Sequence, residues 1–220
     1  MSSGKTLVFL ERSPKKTFAG ALDWPGWCRA GKTAELALVA LAEYAPRYAR
    51  VATQAGEPFE PQAGSVFDLV DDVEGDATTA FGAPGQVVPA DRRPLSAEDA
   101  ERLARLVAAA WAVFDAIVAG APATLRKGPR GGGRDRDKIV EHVIGAETSY
   151  ASVIGIKQRQ PDPGDRAAID ALRGAMLDRL SQPSDGAPLA GRRWPARYAA
   201  RRIAWHALDH AWEMQDKTLG

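Results

Sequence analysis

The chain has only three histidines, and all of them fall in its second half. His206 and His210 stand four residues apart in Ile203-Ala-Trp-His-Ala-Leu-Asp-His210. On a helix that spacing puts both imidazoles on one face, one turn apart. One helix can then offer two nitrogen ligands to a single metal ion. His142 lies in helical register with Ile139, Ala146 and Tyr150, so it is predicted to face an apolar interior. Burying three imidazoles costs solvation free energy unless each finds a partner, and a shared cation would satisfy all three at once. The competing reading is three ordinary core histidines, because an H-x-x-x-H pair by itself is common.

Two acidic residues stand close to the pair. Asp209 and Glu213 are candidates to accept the second ring N–H of a metal-bound imidazole, as carboxylates often do. Glu213, one turn past His210, is also a candidate general base. The bland alternative for both is a solvated helix-surface acid. Trp205 and Trp212 share a neighbouring face and read as core packing or interface.

These residues need helices to hold them, and the second half supplies four. Ser96 reads as an N-cap, with Glu98 and Asp99 in the first turn. Leu103, Leu106, Val107, Ala110, Phe114, Ile117 and Val118 then step by three and four until Gly120-Ala-Pro122. A second helix is predicted over about 134–157, a third after Pro163 with Ile169, Leu172, Met176 and Leu180, and a fourth from Trp194-Pro195 to about Lys217. Four amphipathic helices joined by loops predict a four-helix bundle, whose core is a usual place for a metal site.

The segment Arg201-Arg-Ile-Ala-Trp-His-Ala-Leu-Asp-His-Ala-Trp-Glu-Met-Gln-Asp216 resembles the last helix of the DinB-like proteins. Ile139-Val-Glu-His-Val-Ile-Gly-Ala-Glu-Thr-Ser-Tyr150 is similar to the earlier helix that carries their first histidine. The resemblance covers about residues 96–217. It implies an all-α DinB-like four-helix bundle with a divalent transition metal, zinc or nickel, held by His142, His206 and His210. It also implies thiol-dependent transfer or isomerisation, with a low-molecular-weight thiol as cosubstrate. Three nitrogen ligands would leave a coordination position open, as in catalytic sites. The alternative class is a non-catalytic stress or interaction protein that keeps the metal for structure.

The first 90 residues read differently. Leu7-Val-Phe-Leu10 and Thr17-Phe-Ala-Gly-Ala-Leu22 flank a charged turn and predict a β-hairpin, followed by a turn at Asp23-Trp-Pro-Gly26. Thr33 is a candidate N-cap for a helix through Leu36, Val39 and Ala40, which Pro46 must kink or end near Tyr44. Pro and Gly crowd the stretch to Pro94, where Ser65–Val70 is the predicted strand. Residues 17–38 resemble the HicB-type antitoxin fold, with Trp27 inserted between Pro25-Gly26 and Cys28. The prediction is therefore an α+β unit of order β-β-α-β over 1–90 and the bundle over 91–220. No ribbon-helix-helix or helix-turn-helix segment follows, so a HicB-like toxin-binding regulator is the weakest of three readings.

Composition narrows the classes. Lys plus Arg number 29 against 28 Asp plus Glu, a formal charge of +1, which argues against a dedicated nucleic-acid binder. One cysteine excludes an intrachain disulfide and a Cys-rich cluster, and Cys28 among aromatic residues reads as a buried small hydrophobe. The run Leu106–Ala121 is short for a membrane span and contains Asp115. A cytoplasmic homodimer acting on a small molecule or thiol, without membrane, is the expectation. Two basic clusters remain: Arg126, Lys127, Arg130, Arg134 and Arg136 around the Gly131–Gly133 loop, and Arg192 to Arg202. The first could grip an anion or be a solvated loop; the second is predicted to pair with acids of a neighbouring helix.

Overall fold

The computed structural model describes residues 5–60, 66–128 and 133–218. Its elements run β1 (Thr6–Arg12), β2 (Thr17–Ala21), β3 (Cys28–Gly31), α1 (Ala34–Glu43), α2 (Ala45–Gln54), β4 (Phe67–Glu74), α3 (Ala77–Phe81), α4 (Ala97–Gly120), α5 (Arg136–Val153), α6 (Arg166–Leu180) and α7 (Ala196–Thr218). The whole is α+β, with one four-stranded mixed sheet of order β3-β2-β1-β4. β1 pairs antiparallel with β2 and parallel with β4, and β2 pairs antiparallel with β3.

Strand periodicity makes the sheet two-faced. Val8 and Leu10 of β1 join the large core, whereas Phe9 between them joins a smaller cluster with Phe18, Cys28 and Trp205. The predicted hairpin is present, and β4 begins later and runs further than the predicted strand at Ser65–Val70. Two elements enlarge the predicted β-β-α-β order to β-β-β-α-α-β. The four-residue β3 is too short to carry an apolar alternation. The helix after Thr33 ends at Glu43, and a second one starts at Ala45, with Pro46 in its first turn, where a missing N–H costs nothing.

The four long helices contact one another in a closed ring: α4 on α7, α7 on α5, α5 on α6, and α6 on α4. The Ser96 hydroxyl accepts from the Asp99 N–H at 3.1 Å and starts α4. α4 is long and apolar enough by composition to cross a membrane. Its Asp115 is nonetheless held at 2.9 Å by Arg173 of α6. α5 stops four residues before the predicted end because Gly155 takes φ 91°. The Ile156 N–H then bonds the Ala151 carbonyl and the Gly155 N–H that of Ser152, closing the helix with a left-handed cap.

One core runs through all of this. Trp27, Leu41 and Tyr48 belong to the same buried cluster as Leu103, Trp111, Met176 and Trp212. Each large side chain so buried contributes about 1.5–3 kcal/mol of transfer free energy. The turn predicted at 23–26 abuts the last helix. Gly26 has φ 93°, and a Cβ there would lie 2.5 Å from Leu208 Cδ1. Trp27 donates its ring N–H to the Leu41 carbonyl at 2.8 Å, and the Tyr48 hydroxyl donates to the Pro25 carbonyl at 2.9 Å.

Candidate metal centre

α5 and α7 bring the three histidines together. α7 is buried around most of its circumference, and its small residues Ala199, Ala200, Ala204, Ala207 and Ala211 let neighbours approach closely. α5 lies against it with Ile139, Val143 and Ala151 inward. His142 therefore meets His206 and His210 across the interface that the periodicity predicts.

The rings form a near-equilateral triangle. Centroid separations are 5.0 Å for His142–His206, 4.9 Å for His142–His210 and 4.8 Å for His206–His210. The Nε2 atoms of His142 and His206 are 3.2 Å apart. One ligand nitrogen from each residue lies within 4.8 Å of the other two. Two nitrogens bound at 2.0–2.1 Å to one tetrahedral ion stand about 3.3 Å apart, so the closest pair has the spacing a shared ion needs.

The donors also have suitable protonation. Burial, then the charge of His210, lowers the pKa of His142, and Arg134 adds to the effect. His206, 8% exposed, is pushed well below 6.5 by burial first and then by His210 and His142. Both are thus neutral at pH 7, with ring lone pairs available. His206 Nδ1 is buried without a hydrogen-bond partner among the described residues. The ring meets Tyr150 edge-on at 5.7 Å.

The two acids separate. Glu213 Oε2 lies 2.7 Å from His210 Nδ1, and its other oxygen accepts from Lys217. This leaves His210 Nε2 as the ring atom that could meet a cation. The hydrogen bond from His210, reinforced by Lys217, holds the Glu213 carboxyl down to about 2. Asp209 is not brought to the imidazoles. Its Oδ1 is 2.9 Å from Arg29 Nη1 of β3, so the carboxylate ties the sheet to α7. That partner is 180 residues away, and nothing near Asp209 in sequence signals it.

Cys28 is buried, and desolvation raises its thiol to about 12, which leaves no nucleophilic thiolate. Trp205 and Trp212 are core residues at 5% and 2% exposure. Arg201 makes a buried two-pronged contact with Asp91, 2.9 Å through Nε and 2.5 Å through Nη2. Asp91 sits in the 3-10 turn Pro89–Arg92, in the connector and not on a neighbouring helix, whereas Arg197 does meet an acid of a neighbouring helix, Asp99 of α4, at 3.8 Å. Of the glycine-rich loop, Arg130, Gly131 and Gly132 lie outside the described residues, whereas Lys127, Gly133 and Arg134 line a pocket of about 760 Å³ that His142 also lines. Sequence reasoning did not connect that loop with the histidines.

Comparison with family models, with curated proteins and with solved structures finds no match to this chain.

Proposed function

We propose that this protein binds one divalent transition metal ion, zinc or nickel, through His142, His206 and His210, and that it acts as a DinB-like, thiol-dependent transferase or isomerase. The observation that supports the reading is the convergence of three imidazoles from two helices, with a closest nitrogen spacing of 3.2 Å. A bound ion of this kind supplies Lewis acidity and lowers the pKa of a thiol or water in its open position.

The chain's own residues do the rest. Glu213 accepts the His210 Nδ1–H, fixing both the tautomer and the angle of that ring. A carboxylate held near 2 by two donors is a poor proton acceptor, so Glu213 is an orienting group in this proposal and not a general base. α5 and α7 set the His142–His206 separation, and burial keeps both rings unprotonated. The pocket beside His142 is large enough for a small molecule.

A cobalt(II)-loaded sample tests the open position. Adding 2-mercaptoethanol is expected to shift the visible d–d bands and to produce a thiolate charge-transfer band. A spectrum indifferent to thiol would mean a closed, structural ion and would contradict the transferase reading.

A further inference from the structure

The pocket beside His142 has a lopsided charge. Five ionisable side chains besides His142 line it: Lys127, Arg134, Asp135, Lys138 and Glu141. Four of them cancel in pairs, Lys127 with Asp135 and Lys138 with Glu141, each at 2.6 Å. Arg134 is left over. It has no carboxylate and no hydrogen-bond acceptor among the described residues, although the other arginines around it, Arg126 and Arg136, are both engaged. The same guanidinium is near enough for its charge to act on both His142 and His206.

The centre offers no negative charge to balance it. Its three ligand side chains are imidazoles, which bring no negative charge, and the nearby carboxylate of Glu213 is already committed to His210 and Lys217. With an ion in place, a ligand in the pocket beside His142 would meet the field of a divalent cation and of one guanidinium that has no partner among the described residues. A ligand entering there is favoured if it carries negative charge. A single fork of parallel N–H donors matches one planar carboxylate through two parallel hydrogen bonds.

We propose that Arg134 anchors a carboxylate on the molecule that reaches the three-histidine centre, so that the site is built for small carboxylate-bearing ligands. This rests on the metal-binding reading above. Arg134 is exposed and lies outside the core, in the three residues Gly133, Arg134 and Asp135 that precede α5, so replacing it should leave the fold and the histidines in place.

The test titrates cobalt(II)-loaded protein with 3-mercaptopropionate and, separately, with 3-mercaptopropan-1-ol, following the thiolate charge-transfer band. The two probes share a thiol and differ in the carboxylate. Wild type is expected to bind the acid about tenfold more tightly, the scale of one charge-assisted contact. Arg134→Ala should lose that preference while keeping its cobalt, and Arg134→Lys should keep part of it. Equal binding of the two probes by wild type, or an unchanged preference in Arg134→Ala, would overturn the anchor and leave the metal site standing. Protein that takes up no cobalt would remove the metal reading and the anchor with it.

Discussion

Glu213 shows how one side chain can tune a site it does not enter. It accepts from His210 on one oxygen and from Lys217 on the other, so the ring of His210 cannot swing without breaking the contact. Glu213→Gln keeps the size and loses the charge. We expect it to weaken metal affinity about 10- to 100-fold with the fold intact, measured by competition against a chromophoric chelator. The buried imidazoles give a second prediction, for metal-free protein. The folded chain holds His142 and His206 below 6.5, and unfolding returns them to it, so the unfolded state binds protons first as the pH falls. Their contribution is complete above pH 6.5 and shrinks below it. Urea midpoints between about pH 7.5 and about pH 5.5 should fall, and His206→Gln should flatten that slope. At this scale the sequence was informative. The four-residue spacing of His206 and His210 and the register of His142 lead to the triad directly. Asp209 was not legible, because both it and Glu213 flank His210 and only the tertiary partner Arg29 tells them apart.

At the scale of elements, local signals read well wherever they are local. Ser96 as a cap, Pro46 as a boundary and the three-four stripe of α4 depend on neighbours in sequence. β3 and α3 depend on what they dock against, with four and five residues apiece, and their composition gives no period. β4 likewise carries acids at Asp68, Asp71, Asp72 and Glu74 because it is an edge strand whose outer side meets water. The connector before α4 is fixed by a buried ion pair. Asp91 is 1% exposed and meets Arg201 through both oxygens. Removing one partner strands the other charge, so Asp91→Ala should cost about 3–5 kcal/mol in urea unfolding. A loss below about 1 kcal/mol, the range of surface pairs, would mean that water reaches the guanidinium.

At the scale of the whole molecule, the sheet and the long helices share one core, and the turn at Gly26 presses on the helix that carries two of the histidines. Unfolding should therefore be a single transition, with tryptophan fluorescence and far-ultraviolet circular dichroism coinciding in urea. Two separated transitions would show that the segments 1–90 and 91–220 fold as independent units. Gly26→Ala tests the seam. Positive φ and the close approach of Leu208 should together cost about 1–3 kcal/mol. None of this was visible in sequence, since patterning reports which face is apolar and not which other face covers it.

Whether three histidines on two helices form one metal site is tested by elemental analysis of the purified protein. Wild type, His142→Ala and His206→Ala would be purified side by side, with circular dichroism confirming that each is folded. The geometry predicts about one transition-metal ion per wild-type chain and loss of that ion in both variants. Wild type that holds no metal and takes up neither zinc nor nickel would contradict it, as would variants that retain the full complement; the three imidazoles would then be core residues held together by packing alone.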